Sequence, residues 1–280
     1  MLQVLDTIAA TRAAIGHYRS QGTIGFVPTM GALHAGHASL IHHARRESGT
    51  VVVSIFVNPS QFGPQEDLAA YPRDGPRDLA MLEAEGVDLV WTPDVDTVYP
   101  VGFQTWVTVE DVSRPLEGER RPGHFRGVAT VVTKLFHAFE PQRAYFGQKD
   151  AQQVAVIRRM TQALDFPVHI VVGPTAREAD GLAMSSRNAY LKPEERRAAP
   201  VLHRALQAAQ AAFDAGERDA GSLRRILEAT LAEEPRAMTQ YVSVADPGTL
   251  LELQGPIDRA LLSMAVFIGK TRLIDNVVIS

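Results

Sequence analysis

The stretch TIGFVPTMGALHAGHASL, residues 23–40, sets the architecture of this chain. Residues 23–29 are rich in apolar and β-branched side chains, which is typical of a buried strand. A turn with two histidines follows, and a helix is predicted to begin after Gly36. Open α/β sheets bind ligands where their strands lead into helices. The sequence therefore predicts a ligand site at this turn.

The alternation of strand and helix continues to about residue 172. Residues 50–57, TVVVSIFV, are almost all apolar, as expected of a strand covered on both faces. Further strands are predicted at 87–91, 143–146 and 168–172, and helices at 76–85, 128–139 and 150–164. This order indicates α/β architecture with a Rossmann-like, doubly wound parallel sheet. We place that domain at residues 1–174.

The pattern changes after residue 174. Two helices are predicted at 193–215 and 220–233, and strands at 240–244, 260–268 and 273–279. Gly269 and Lys270 join the last two strands in a short turn, which favours an antiparallel hairpin. We therefore expect a smaller α+β domain at residues 175–280.

Composition narrows the classes of function. The 280 residues are 45% hydrophobic, carry a formal net charge of −4 and include no cysteine. The charge balance provides no broad basic surface for nucleic acid or an anionic membrane. The absence of cysteine excludes thiolate catalysis, disulfides and cysteine-based zinc sites. Residues 1–14 lack a signal-peptide pattern, and no apolar run is long enough to span a bilayer, so we expect a bacterial cytoplasmic enzyme.

The histidine turn has the chemistry of a phosphate site. His34 and His37 are three residues apart and share a face of a helical turn, so two imidazole N–H groups can hold one phosphate chain. The helix N-terminus adds backbone N–H donors, and Gly36 lets a nucleotide approach closely. The alternatives are two solvated histidines, or a zinc site that adds His42 or His43, although no carboxylate lies at a familiar ligand spacing.

Two glutamines are candidates for holding an acid. Gln61 follows the second buried strand, at the same edge of the sheet as His34, and Gln153 lies on the helix after the fourth strand. A neutral amide can bind carboxylate and hydroxyl oxygens without quenching the nucleophilicity of the carboxylate. The alternative is that both are exposed polar residues.

Two further segments offer cations. Residues 147–150 lead from a strand into a helix, and Lys149 there can neutralise charge on an α-phosphate. Asp150 either binds ribose or caps the helix. Ser185, Ser186 and Arg187 suit a pyrophosphate leaving group, or else form a polar interdomain linker.

Five segments resemble a known family. PTMGALHAGH (28–37) is similar to the HxGH signature of the nucleotidylyltransferase superfamily. The longer form resembles the pantothenate synthetase family, as do FVNPSQF (56–62), RPGHF (121–125), YFGQKDAQQ (145–153) and DGLAMSSRN (180–188). The resemblance covers most of residues 23–191, and the last third of the chain carries no quotable motif.

The resemblance implies a ligase that condenses pantoate with β-alanine to form pantothenate. ATP activates pantoate as pantoyl adenylate and releases pyrophosphate, and the amine then displaces AMP. Gln61 and Gln153 are implied to hold pantoate, and His34, His37, Lys149 and Arg187 to be catalytic, with His37 as proton donor. The implied ATP-binding residues are Met30, Gly31, Ala32, Leu33, His34, Ala35, Gly36, His37, Gly147, Gln148, Lys149, Asp150, Ala176, Met184, Ser185, Ser186 and Arg187.

Three expectations are less specific. Asp78 is a candidate ligand for Mg²⁺, although Arg77 stands where some family members carry a second acid. Arg121 and His124 lie in a loop that can fold over the site. The family implies a homodimer.

Two other functions compete with this interpretation. Another nucleotidylyltransferase would need extra Arg or Lys for an acceptor phosphate. A nucleotide-sensing or RNA-binding module would need the fold alone, and the acidic charge balance argues against RNA.

Overall fold

A six-stranded parallel sheet forms the first part of the molecule. The computed structural model describes residues 2–64 and 66–280. The strands are β1 (Gln3–Leu5), β2 (Ile24–Thr29), β3 (Thr50–Ile55), β4 (Leu89–Trp91), β5 (Arg143–Gly147) and β6 (His169–Gly173). Their order is β1-β4-β3-β2-β5-β6, with every pair parallel. After β2 the chain adds β3 and β4 on one side of that strand, and it then crosses back to place β5 and β6 on the other side. A crevice opens at the carboxyl ends of β2 and β5 for this reason.

Helices cover both faces of this sheet. They are α1 (Ile8–Arg19), α2 (Ala35–Glu47), α3 (Gly75–Ala84), α4 (Val95–Val98), α5 (Glu117–Arg120), α6 (His124–Phe139) and α7 (Ala151–Ala163). Successive strand residues point to opposite faces, so Phe26 packs in one core and Val27 in the other. Both side chains are fully buried. The Rossmann-like α/β prediction is confirmed.

The second part is a three-stranded antiparallel sheet with helices on one side. Its elements are α8 (Pro193–Ala198), α9 (Val201–Asp214), α10 (Ala220–Ala232), β7 (Ala237–Ala245), β8 (Ala260–Ile268) and β9 (Thr271–Ile279). The hairpin at Gly269 and Lys270 is confirmed, since Ile268 pairs with Thr271 and Gly269 has φ +62°. The α+β class of this part is confirmed. The limits 1–174 and 175–280 stay a prediction.

Two helix predictions need correction. Residues 193–215 form two helices, because Pro200 has no N–H to continue the hydrogen-bond ladder across the junction. α6 begins at His124, four residues before the predicted start, after Gly123 at φ +85°. The sequence pattern predicted no element at β1, α1, α4 or α5. Across residues 2–64 and 66–280, no helix combines the length and apolar character that a membrane crossing requires.

Candidate active site

A cleft of about 240 Å³ opens beyond the carboxyl ends of β2 and β5. It brings together residues from five segments that are distant in sequence. The predicted site residues that line it are Met30, His34, Gly36, His37, Gln61, Gly147, Lys149, Asp150, Gln153, Ala176, Met184, Ser185, Ser186 and Arg187. Six other predicted site residues are not among the described residues that line the cleft: Gly31, Ala32, Leu33, Ala35, Gln148 and Asp78. Tyr71 and Thr175 also line the cleft, although no sequence motif indicated a role for them.

The two histidines are oriented by the backbone of their own turn. Nδ1 of His34 accepts the N–H of Gly36 at 3.1 Å, and Nδ1 of His37 accepts the N–H of His34 at 3.2 Å. Each neutral ring therefore carries its proton on Nε2, the nitrogen left to donate. A Cβ at Gly36 would lie 2.9 Å from the His34 ring, so glycine here makes room for the histidine itself.

Both imidazoles are neutral in this cleft. Burial, with the neighbouring His34 ring and the charge of Lys149, lowers the pKa of His37 to about 3. Burial, followed by the charge of Lys149, also lowers the pKa of His34. At neutral pH the pair therefore presents two N–H donors and no positive charge.

Asp78 supports the histidine turn from behind. Its oxygens accept the N–H of Ala32 at 2.8 Å and that of Leu33 at 2.9 Å, and the residue is 2% exposed. The turn needs this support because Gly31 and Ala32 have φ of +81° and +50°, in the left-handed region. This placement counts against the prediction that Asp78 binds Mg²⁺, because its oxygens are engaged away from the cleft.

Gln61 is held at the cleft wall by a buried amide network. Its Oε1 accepts from Nδ2 of Asn58 at 3.0 Å, and its Nε2 lies 3.2 Å from Sδ of Met30. Gln61 is 9% exposed, which contradicts the alternative of a solvated residue. Gln153 is half-buried on α7 and lines the same cleft. The two amides share one cavity with the histidines.

Arg121 and His124 also line the cleft, and they form a chain of contacts that ends at the backbone of Gln61. Nδ1–H of His124 donates to the carbonyl of Gln61 at 2.8 Å, and its Nε2 accepts from Arg121 at 3.1 Å. Arg121 also donates to Glu66 at 2.6 and 3.0 Å. Burial, then the charge of Arg121, lowers the pKa of His124 to about 4. The sequence predicted that both residues lie in a loop near the site, but it did not predict these contacts.

Lys149 reaches the cleft from the loop that follows β5. Its Nζ lies 3.7 Å from Oδ1 of Asp150. Asp150 occupies the position before α7, but its side chain makes no capping hydrogen bond, so the capping alternative is not supported. Its carboxylate is about half exposed, 46%, toward the cleft.

The 185–187 segment is bound to the first domain rather than solvated. Arg187 donates to both carboxylate oxygens of Asp67 at 2.8 and 3.0 Å, and its guanidinium lies 5.9 Å from the Tyr71 ring. Ser186 Oγ lies 3.3 Å from the Tyr71 hydroxyl. Burial opposes ionisation of Asp67, but Arg187 outweighs it and keeps the pKa of that carboxyl below its usual value. These contacts contradict the linker alternative.

The zinc alternative finds no support in the positions of His42 and His43. They contact Glu85 and Glu47, and neither lines the cleft. Within the ranges that the structure describes, no three His, Asp or Glu side chains form a group able to hold a metal.

Comparisons with known proteins agree on one family. The family model described as pantoate–beta-alanine ligase matches residues 3–278. A pantothenate synthetase of Herpetosiphon aurantiacus is 61% identical over 279 residues, covering 99% of this chain and all of the relative. The crystal structure of the Thermus thermophilus enzyme has a TM-score of 0.94 at 50% identity, with 99% of each chain covered. A Francisella tularensis pantoate–β-alanine ligase, solved with Beta-gamma ATP and β-alanine, has a TM-score of 0.81 at 34% identity, covering 99% of this chain and 97% of that one. This chain therefore belongs to the pantoate–β-alanine ligase family.

Proposed function

We propose that this cleft condenses pantoate with β-alanine in two steps and forms pantothenate at the expense of ATP. One observation carries the proposal. Donors and cations suited to a triphosphate, and neutral amides suited to an acid, line the same cavity. The Francisella relative was solved with a nucleotide and β-alanine, which supports the same ligands here.

The first step forms pantoyl adenylate. The pantoate carboxylate, already ionised at neutral pH, attacks the α-phosphorus, and the bond to pyrophosphate breaks. Nε2–H of His34 and His37 donate to phosphate oxygens, while Lys149 neutralises the charge that develops on them. His37 is neutral before ATP binds, so it acts first as a hydrogen-bond donor. A phosphate beside it raises its pKa toward the proton-donor role that the family implies.

Gln61 and Gln153 hold the acid. An amide donates to the pantoate oxygens without drawing charge from the attacking carboxylate, as a bidentate arginine would. The contact of Gln61 with Asn58 fixes the amide plane, so that Nε2 stays directed away from Asn58. The carboxylate is thereby presented to the α-phosphorus in one orientation.

Arg187 is the partner of the leaving pyrophosphate. It is bound to Asp67 in this structure, so the incoming phosphates must compete with that carboxylate. Residues 185–187 close over the phosphates when that exchange occurs. A backbone hydrogen bond connects Ala176 and Met184, the residues before this segment: the Met184 N–H donates to the Ala176 carbonyl at 2.9 Å.

Mg²⁺ fits this cleft as a companion of ATP rather than as a protein-held ion. Asp150 is the one carboxylate among the described residues that line the cleft, and it is exposed enough to accept a hydrated ion. Asp150 would hold the ion beside the phosphates, where it would neutralise phosphate charge. Asp78 has no part in this assignment.

The second step transfers the acyl group. The neutral amine of β-alanine attacks the carbonyl carbon of the adenylate, and the bond to AMP breaks. The second domain covers the cleft and limits hydrolysis of the adenylate by water. We also propose a cytoplasmic location and a homodimer, which cell fractionation and sedimentation of the purified protein test.

Exchange of labelled pyrophosphate into ATP tests the first step. Pantoate alone should support exchange, and adding β-alanine should yield pantothenate and AMP in equal amounts. Exchange that demands β-alanine would contradict a free adenylate intermediate. Activity with a phosphorylated acceptor in place of pantoate would favour another nucleotidylyltransferase.

Gln61→Glu tests the acid site. The variant keeps the shape of the side chain but places a charge beside the substrate carboxylate and removes the amide donors. Pantoate affinity measured by calorimetry should fall by about 10-fold to 100-fold, since hydrogen bonds to a charged group contribute about 1.5–3 kcal/mol. ATP affinity should be unchanged. Gln153→Glu should act in the same direction, and normal pantoate affinity in both variants would remove this assignment.

A further inference from the structure

Two adjacent residues of β9 contact both loops that carry the predicted cations. Asp275 and Asn276 lie in the second domain, near the C-terminus, and are 2% and 4% exposed. They are remote in sequence from every motif of the cleft, and neither lines it. Buried polar side chains in a strand are costly unless each is fully bonded, so their partners indicate what they do.

Asn276 holds the loop that carries Lys149. Its Nδ2 donates to the carbonyl of Gln148 at 3.1 Å and to that of Lys149 at 2.8 Å. Its Oδ1 accepts from Nε2 of Gln148 at 3.0 Å. Two of these bonds fix the main-chain carbonyls of Gln148 and Lys149, and the third holds the side chain of Gln148.

Asp275 holds the other loop through Arg177. Its two oxygens accept from the guanidinium at 2.6 and 3.0 Å, and the same guanidinium donates to the carbonyl of Gly181 at 3.0 Å. Arg177 also pairs with Ala183 in a short antiparallel bridge. The loop is thereby closed just before Ser185 and Arg187. Oδ1 of Asp275 further accepts the backbone N–H of Asn276 at 2.8 Å, so this carboxylate is also bonded to its own strand.

We infer that Asp275 and Asn276 are positioning residues for the adenylation step: the β9 dipeptide sets the distance between Lys149 and the 185–187 segment. The inference rests on the proposed function, because it assigns both loops to the phosphates of ATP. A displacement of about 1 Å at such a group costs as much as 10²-fold in rate. Neither residue touches the substrates itself.

A double-mutant cycle between Asn276→Ala and Lys149→Ala tests the inference. Asn276→Ala should lower the turnover of pyrophosphate exchange by about 10-fold to 100-fold. In the Lys149→Ala background the same change should cost only about twofold to threefold, because the group it positions is gone. Equal factors in both backgrounds, or wild-type turnover in Asn276→Ala, would overturn it.

Matched variants separate positioning from damage to the fold. Ser263→Ala is the control, because Ser263 pairs with Asn276 across β8 and β9, is buried, and has no hydrogen-bond partner for its hydroxyl within residues 2–64 and 66–280. Its exchange rate should equal that of the wild type. If Asn276→Ala fails to fold, Asn276→Asp keeps the shape and the acceptor for Gln148 but cannot donate to the carbonyls. A wild-type rate in Asn276→Asp would equally overturn the inference.

Arg177→Lys tests the second loop in the same way. The lysine keeps the charge but cannot form the bidentate contact with Asp275. The KM for ATP should therefore rise by about 10-fold. In an Arg187→Ala background the same substitution should raise this KM much less. The ATP affinity of the same variants can be measured by titration without pantoate, so this measurement does not depend on the proposed reaction. Failure of the wild type to make pantothenate would refute the proposed function alone. ATP affinities that show no coupling between Asn276 and Lys149 would refute the positioning role.

Discussion

At the scale of single residues, the histidine pair combines binding with local stability. Each Nδ1 accepts a backbone N–H at the start of α2, and each Nε2–H is left for a ligand. The residue types followed from the sequence, because donors spaced three apart at a helix start suit phosphate. The tautomers could not be predicted from the sequence, because they depend on which backbone N–H donates to each ring.

Replacement of either histidine should affect rate and stability together. His34→Ala and His37→Ala should each lower kcat/KM for adenylation by about 10²-fold or more, the loss expected for one transition-state donor. Each should also lower the free energy of unfolding by about 0.5–2 kcal/mol, because a helix cap is lost. His42→Ala, an exposed residue on the same helix, is the control and should leave both unchanged. Full exchange activity in both site variants would contradict the assignment.

The buried neutral rings predict an acid sensitivity. The pKa of His124 is lowered to about 4 and that of His37 to about 3, whereas unfolded histidine titrates near roughly 6.5. Between about pH 6.5 and 4 the unfolded state takes up protons that the folded state excludes, so stability falls as the pH falls. Each ring contributes a slope of about 1.4 kcal/mol per pH unit in that window. Urea unfolding between pH 7 and 5 measures this slope of unfolding free energy against pH. His124→Gln removes one titrating ring, so it should reduce the slope by up to about 1.4 kcal/mol per pH unit. An unchanged slope would contradict a buried neutral ring.

At the scale of elements, the site depends on the close approach of α6 to the turn at residues 59–61. Asn58 Nδ2 donates to the carbonyl of Gly127 at 3.3 Å, and a Cβ at Gly127 would lie 2.7 Å from the N atom of Gln61. The glycine is therefore required by packing, not by its φ. Sequence periodicity predicted α6 but not its contact with this turn.

Gly127→Ala should displace the turn that carries Gln61. We expect a loss of about 1–3 kcal/mol in unfolding free energy, as for other overpacked sites, and a raised KM for pantoate with a smaller change for ATP. Gly16→Ala is the matched control, because Gly16 is exposed on α1 and, apart from its own neighbours in the helix, a Cβ there meets no atom of the described residues within 4 Å. It should stabilise the protein by up to about 1 kcal/mol. Equal effects of the two changes on pantoate KM would contradict this account.

At the scale of the whole molecule, a buried ion pair joins the two domains. Arg272 of β9 donates to both oxygens of Glu117 at 2.6 and 2.8 Å, and the Tyr241 hydroxyl donates to the same carboxylate at 2.9 Å. Burial opposes ionisation of Glu117, but Arg272 outweighs it and lowers the pKa of that carboxyl. The contact ties β7 and β9 of the second domain to α5 of the first.

Glu117→Ala should weaken this interface strongly. It removes the carboxylate from the partly buried Arg272, which keeps its hydrogen bond to Gln240, so the loss should be about 1–3 kcal/mol. Denaturant unfolding should show the loss, and the adenylate should hydrolyse faster because the cleft is less enclosed. Glu110→Ala removes an exposed pair with Arg114 and should change stability by less than about 0.5 kcal/mol. Similar losses in the two variants would contradict a special role for Glu117.

The residue pattern predicted the α/β class and most of the elements of the first domain, and together with the family resemblance it predicted the segments that meet in the cleft. Those features are local, since strand and helix periods and strand-to-helix turns are written within a few neighbouring residues. What holds the segments in place became visible only in the folded chain. Asp78 contacts a turn 46 residues away, and Asn276 contacts a loop 128 residues away. No local pattern marks such a partner, because a buried carboxylate or amide takes its role from the backbone groups that the folded chain brings to it.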